Sequence, residues 1–308
     1  MHSQDNQQDD KQHFEITVQI AAVSALDHLY TYLQNQPTIE TISKQQLKKF
    51  ALRGAVWLTQ NAENSTRSTK PERLRRLKRV LKTGDKIDFY FNAELLNSEP
   101  TAPILIADFD HYSVWLKPRG MLSQGSKWAD HSALYRWVEM NYKPNDQTRQ
   151  SWIVHRLDRA TRGLMLLAHT KKMAAKLSQT FEQGGVNKVY QANVWGEFPE
   201  HMQTIDLPVA DKAAISHVSR LAFYPELGIS RVEVNIETGR KHQIRSHLSQ
   251  TGFPILGDRL YGSETLDSQI QPRPDLQLTA FKLSFLCPIS QTQQQFELTE
   301  QQLDLLSF

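Results

Sequence analysis

The run Val154-His155-Arg156-Leu157-Asp158-Arg159-Ala160-Thr161-Arg162-Gly163 sets one carboxylate among arginines, immediately ahead of the apolar stretch Leu164-Met165-Leu166-Leu167. Neighbouring positive charge favours the ionised carboxylate. In that state it suits nucleophilic attack or stabilisation of developing positive charge better than proton donation. Thr161 and Gly163 read as a turn feeding a strand, so Asp158 is expected on a loop carried by a sheet, where catalytic groups commonly sit. On residue types alone an Arg-Asp-Arg cluster is more often a structural ion-pair network. Other chemistries are poorly served. His242 and His247 stand five apart, not the four that sets two ligands on one helix face. The lone Cys287 excludes a Cys-rich zinc site and an intramolecular disulfide. No metal is expected, and no Gly-rich phosphate loop is present.

Three further segments change the weighting. Trp115-Leu116-Lys117-Pro118-Arg119-Gly120-Met121 ends a strand pattern in a Pro/Gly turn. Lys188-Val189-Tyr190-Gln191-Ala192 opens a strand. Thr238-Gly239-Arg240-Lys241-His242-Gln243-Ile244-Arg245 passes from a Gly turn into a helix, followed by Gly252-Phe253-Pro254-Ile255-Leu256-Gly257-Asp258 and Tyr261-Gly262. In this order the segments resemble the RluA-type family of RNA pseudouridine synthases, over about residues 104–288.

The resemblance implies that Asp158 is the catalytic aspartate and that Arg245 pairs with it. It implies that Tyr190 stacks on the uracil and assists proton removal, and that Arg156 contacts RNA around a flipped nucleotide. It also implies a cofactor-free isomerisation of a uridine lifted from its stack. Read without it, Tyr190 is a core strand residue and Arg245 a helix cap or surface pair. Arg162 stands where the family often has Ser, which bears on the shape of the substrate more than on the chemistry. Asp258 reads as a turn residue.

These groups need elements to hold them. Strand-like runs occur at 104–107, 113–116, 163–168, 189–194, 230–236 and 277–283, with helical patterns at 132–141, 171–182 and 241–250. Strands with interspersed helices predict an α+β domain. The resemblance makes it a pseudouridine synthase domain on a mixed, mainly antiparallel sheet with flanking helices.

The N-terminal part differs. Alternation over 14–20 predicts a strand, and Leu26, Leu29, Tyr30 and Leu33 predict a helix ended by Pro37. Ser43 with Gln46 resembles a capping box, opening a second helix with Leu47, Phe50 and Ala51 inward and Lys44, Lys48, Lys49 and Arg53 outward. A strand at 55–59, a basic loop and short helix over 67–79, a Lys82-Thr83-Gly84-Asp85 turn and a strand at 86–91 follow. This order is similar to the ribosomal-protein S-four-type RNA-binding domain, a small α/β unit, over roughly 20–92. Between Lys44 and Lys86 there are 13 basic and three acidic residues, an excess of +10, while the rest of the chain sums to −7. Such a segment marks a polyanion partner or, read plainly, a solvated face. The candidates for RNA contact are Lys44, Lys48, Lys49, Arg53, Arg75, Arg76, Lys78 and Arg79.

The chain of 308 residues is expected to divide into a disordered tail (1–13), the RNA-binding domain (14–92), a linker (93–103) and the catalytic domain (104–308). With 39% apolar residues and no long apolar run, fibrous, wholly disordered and membrane-spanning classes are excluded. A cytoplasmic monomer without a membrane partner is expected. Isomerisation of uridines in RNA, ribosomal in preference to transfer RNA, is the leading function. Its competitors are a non-catalytic ribosome-assembly factor on the same scaffold and a glycosidase-type hydrolase. The first has no use for Asp158, Tyr190 and Arg245 together. The second wants a second catalytic carboxylate.

Overall fold

A computed structural model of the chain describes residues 11–19, 23–36, 42–61 and 70–306. These form two compact units, one comprising residues up to Pro100 together with Gln124–Arg136, the other Thr101–Ser123 with Trp137–Phe308.

In the first unit Phe14 and Ile16 alternate inward along β1 (Gln12–Thr17). This strand takes in two residues of the expected tail, because His13 stacks on Tyr90 at 4.3 Å and its Nε2 lies 2.8 Å from Asp88. Residues 1–10 lie outside the described residues. Helix α1 (Ala25–Gln34) is capped by Ser24, and α2 (Lys44–Leu52) by the expected Ser43–Gln46 capping box. Strands β2 (Val56–Thr59), β3 (Glu72–Arg73) and β4 (Lys86–Phe91) complete a four-stranded antiparallel sheet in the order β1-β4-β2-β3.

Two expectations are corrected here. The stretch 70–79 holds β3 and turns, not a helix. Leu74 donates its N–H to Val56, and Arg73 and Arg75 reach the fully buried Asp130, which keeps this backbone extended. The expected linker opens with α3 (Ala93–Asn97), capped by Asn92, and its Leu96 is fully buried in the core of the unit.

The second unit is built on one ten-stranded sheet. It runs through β5 (Ile104–Phe109), β6 (Tyr112–Lys117), β7 (Trp152–Ile153), β8 (Arg162–Ala168), β9 (Val186–Trp195), β10 (Gln203–Asp206), β11 (Ile215–Tyr224), β12 (Ile229–Ile236), β13 (Leu278–Leu286) and β14 (Gln293–Glu297). The order is β10-β11-β12-β9-β13-β8-β6-β5, with β14 on β13 and β7 on β8. Among the described pairings only β8 with β13 is parallel. The fold is therefore mixed, mainly antiparallel α+β.

Helix α4 (Leu134–Asn141) precedes β7. Helices α5 (Lys171–Glu182) and α6 (Gln243–Gln250) each bury an apolar stripe in one of two clusters, Met173 and Leu177 in one, Ile244 and Leu248 in the other. Full burial of a side chain such as Leu248 contributes about 1.5–3 kcal/mol. Short helices α7 (Glu264–Asp267) and α8 (Glu300–Leu303) follow. Among the described residues no helix is long and apolar enough to cross a membrane.

At the sheet centre Gly163 pairs with Ala280, which pairs with Tyr190 across β13 and β9. Gly163 has φ +135°, and a Cβ there would overlap the Ala280 backbone. Only glycine lets the strand leaving the Asp158 loop lie this close to β13.

Candidate active site

Asp158 lies in the loop that enters β8, and backbone bonds hold the loop on both sides of it. On one side Ser123 Oγ donates to the Leu157 carbonyl at 2.7 Å and accepts the Leu157 N–H at 2.9 Å. On the other, the Gly120 N–H donates to the Arg159 carbonyl at 2.9 Å, and Arg159 Nε returns a bond to the Gly120 carbonyl at 3.2 Å. Thr161 N–H closes a turn onto the Asp158 carbonyl at 3.1 Å. The ammonium of Lys117, fully buried, donates to the carbonyls of Pro118 and Met121 at 3.1 and 2.9 Å. Burial drives its pKa down to about 7, against the opposing pull of Asp158. The Lys-Pro-Arg-Gly turn thus acts as the cradle of the aspartate loop.

Before the loop, His155 Nε2 accepts the Leu166 N–H at 2.9 Å and its ring stacks on Phe181 at 4.3 Å. Burial pushes its pKa down to about 3. An acceptor at Nε2 and a depressed pKa both fix a neutral ring protonated at Nδ1.

The Asp158 carboxylate opens into a cavity of about 230 Å³ whose lining includes Arg156, Tyr190, Lys241, His242 and Arg245. Its nearest nitrogen groups are not those of Arg156 and Arg159, as the sequence order indicates, but the Arg245 guanidinium Nη1 and the His242 imidazole Nε2, each 3.7 Å away. Arg245 faces two carboxylates. It makes a two-pronged pair with Asp258 through Nε at 2.7 Å and Nη2 at 2.6 Å, leaving Nη1 for Asp158. Asp258 also accepts the N–H groups of Leu260 and Tyr261 at 2.9 and 3.0 Å. Burial works against its charge, yet Arg245 and these amides outweigh it and hold its carboxyl below the usual range. Asp258 is therefore more than the turn residue its neighbours indicate: it is the anchor of Arg245.

The turn ahead of α6 is pinned by Gln243. Its Oε1 accepts from Thr238 Oγ1 at 2.7 Å and from the Arg240 N–H at 3.0 Å, and its Nε2 donates to the Ile215 carbonyl at 2.9 Å. His242 caps the helix in the left-handed region, φ 58°, with Nδ1 3.3 Å from the Tyr261 hydroxyl. Burial lowers its pKa; Asp158 opposes this, and Arg245 and Lys241 reinforce it. His247 is engaged elsewhere, with Ser216 Oγ at 3.0 Å and the Leu207 carbonyl at 2.8 Å.

Tyr190, on β9, is buried among apolar residues at the cavity floor. Burial first, then Asp158, pushes its phenol well above the ordinary value. Arg156 is exposed at the cavity. Arg162 turns elsewhere: its Nε donates to the Gln302 carbonyl at 3.0 Å, so its bulk does not line the cavity.

The basic candidates of the first unit separate into two groups. Lys44 pairs with Asp27 at 2.6 Å. Arg53 binds the Leu96 and Ser98 carbonyls at 2.8 Å each and pairs with Glu99. Arg75 pairs with Asp130 at 2.5 Å. Arg53 and Arg75, expected at RNA, are thus engaged within their own unit. Lys48, Lys49, Arg76, Lys78 and Arg79 are exposed and make no direct ion pair among the described residues.

The contacts that Asp258, His242, Ser123 and Lys117 make around Asp158 and Arg245 escape sequence reasoning. For Asp258 the available signal is its place in the Gly257-Asp258 motif; its partner lies 13 residues earlier.

Residues 111–250 match the family described as RNA pseudouridylate synthase. The dual-specificity RNA pseudouridine synthase RluA of Vibrio parahaemolyticus is 31% identical over 212 residues, covering 63% of this chain and 81% of that protein. Its namesake in Pasteurella multocida is 33% identical over 210 residues, 62% and 91% of the two chains. Among solved structures, human RNA pseudouridylate synthase domain containing 1 superposes with a TM-score of 0.53 at 21% identity, over 66% of this chain and 86% of that one, a likeness of fold. With three of the four motifs lining one cavity, the fourth cradling its aspartate loop, and relatives matched over most of their length, the chain belongs to the RluA-type family of RNA pseudouridine synthases.

Proposed function

We propose that the chain converts specific uridines of structured RNA, ribosomal RNA in the first place, to pseudouridine in the cytoplasm, with Asp158 as the reacting carboxylate. The observation that carries this reading is the carboxylate itself. It is clamped by backbone bonds on either side, faced by Arg245 and open to a cavity floored by Tyr190. The reaction consumes no oxidant, reductant or co-substrate, because product and substrate are isomers, and in this reading the chain's own side chains carry it without a cofactor. The C1′–N1 bond breaks, a C1′–C5 bond forms, and a proton leaves C5 while N1 gains one.

The uridine must first leave its stack. The Asp158 carboxylate serves each available route, whether attack at C1′, addition at C6 or a glycal path, and Arg245 Nη1, 3.7 Å away, orients it. Stacking of the detached uracil on Tyr190 contributes about 1–3 kcal/mol. The N-terminal unit, an S-four-type RNA-binding domain in this reading, offers Lys48, Lys49, Arg76, Lys78 and Arg79 to phosphates. The relatives named dual-specificity enzymes favour a second reading, in which more than one RNA serves.

Pseudouridine mapping of total RNA from cells with and without the gene tests the proposal. At least one site is expected to disappear on deletion, to return with the wild-type gene and to stay absent with Asp158→Asn. Purified Asp158→Asn is expected to bind the same RNA within about threefold, since removing a negative charge takes away no phosphate contact. Substantial single-turnover product from that variant would overturn the role of Asp158.

A further inference from the structure

A second cavity, of about 320 Å³, is lined by Arg119, Arg159, Arg245 and Arg259 together with one carboxylate, Asp275. Arg245 lines both cavities. The catalytic loop forms the wall between them, with Asp158 and Thr161 on the first side and Arg159 and Ala160 on the second. The four guanidiniums are not equivalent. Arg119 is spent on Asp304 and the Leu276 carbonyl, and Arg245 on Asp258. Arg159 uses only Nε, on the Gly120 carbonyl, and Arg259 makes a single long contact of 3.5 Å from Nη2 to the Pro274 carbonyl. Neither makes an ion pair among the described residues. The Gly120 bond nevertheless fixes where the head of Arg159 points. Two exposed guanidiniums with unspent N–H donors outnumber the lone Asp275, a surplus of positive charge one loop away from the reacting carboxylate.

We propose that this second cavity seats a phosphodiester of the RNA backbone next to the reacting uridine, with Arg159 and Arg259 as its anchors. Guanidinium is the group suited to phosphate, through paired N–H donors in a planar fork. A nucleotide lifted into the first cavity leaves its neighbouring phosphates at the rim of the same loop, where backbone contacts set position and register. Arg159 follows Asp158 directly in the chain, so a phosphate held there fixes the sugar relative to the carboxylate. The inference rests on the pseudouridine synthase reading with Asp158 as its centre.

The test uses the full chain and a stem-loop carrying the uridine identified by mapping. Affinities are measured for wild type, Arg159→Gln, Arg259→Gln and the double variant. The RNAs are the natural stem-loop and versions with one uncharged methylphosphonate linkage at each position within two nucleotides of the target. One linkage is expected to weaken wild-type binding by about tenfold or more, the worth of a charge-assisted contact. The same linkage should weaken the double variant less than about twofold. The site is refuted if no linkage weakens wild type selectively, or if each weakens the double variant as much as wild type. The wild-type scan decides the matter even where a variant folds poorly. Failure of the functional reading looks different: wild type then makes no pseudouridine in any stem-loop, and this inference falls with it.

Discussion

Arg245 sits in the first turn of α6, where the helix dipole disfavours a cation. It is held there by two carboxylates, one of which was invisible as a partner until the chain was folded. Asp258 takes two of its nitrogens and is itself fully buried, whereas Asp158 takes the third at a longer distance and is partly open to solvent. The division of labour follows from these distances. Asp258 positions the guanidinium, and the guanidinium serves Asp158. Removing one partner of a buried charged pair costs about 3–5 kcal/mol. Each 1.4 kcal/mol that reaches the transition state slows the reaction about tenfold. Asp258→Asn and Arg245→Gln are each expected to slow single turnover by at least about tenfold, with the double variant little slower than the worse single one. Losses that multiply instead would mean that Asp258 and Arg245 act independently. RNA affinity of Asp258→Asn should stay close to that of wild type, since Asp258 faces no RNA in this account.

At the scale of elements, the loop and β8 are tied together by a histidine that must stay neutral. His155 accepts the Leu166 N–H only through an unprotonated Nε2, and burial drives its pKa to about 3, far below the usual imidazole value of about 6.5. A histidine whose folded value is depressed contributes stability in full above the unfolded value. That contribution is lost as pH falls from about 6.5 toward about 3. Within this window wild type should lose about 1.4 kcal/mol per pH unit more than His155→Leu. The leucine variant is less stable at neutral pH, since it leaves the Leu166 N–H without its acceptor. Urea unfolding at pH 7 and pH 5 measures the difference; equal pH slopes would mean the ring is already free to protonate.

Elements with their own periodicity were legible in the sequence. Residues 171–182 form the helix expected over those positions, and the Ser43–Gln46 box caps α2. Strand β11 was not, because polar residues interrupt its alternation and a register shift falls between Arg220 and Ala222. Its stability comes from β10 and β12 on either side. The inward turn of Arg75 was equally hidden, since Asp130 lies 55 residues further along. Asp158, Tyr190 and Arg245, which line one cavity, could be picked out because each stands in a local motif; Asp258 as anchor and Ser123 as clamp could not, because their contacts exist only across distant segments.

For the molecule as a whole, the proposed reading gives one polyanion two footprints, the basic segment of the first unit and the arginine-lined cavities of the second. Cutting the chain at residue 100 would not separate them cleanly. Residues 124–136 belong to the first unit, and within them Asp130 is fully buried against Arg73 and Arg75. A truncated chain would carry that carboxylate without its partners, at a cost of about 3–5 kcal/mol, and its weak binding would report misfolding. Neutralising exposed charges in the full chain avoids this. Lys48, Lys49, Arg76 and Arg79 are exposed and make no direct ion pair among the described residues, so changing all four to Gln leaves the core untouched. Each phosphate that goes unneutralised lowers the slope of log affinity against log salt by about 0.7–0.9. If the first unit binds RNA as proposed, the quadruple variant should bind the mapped RNA more weakly at low salt, with a slope reduced by about 2 or more. Its single-turnover rate at saturating RNA should remain that of wild type, because none of the four lines the catalytic cavity. An unchanged slope and affinity would assign the whole electrostatic footprint to the arginines of the second unit, and the excess of +10 between Lys44 and Lys86 would then be a solvated face.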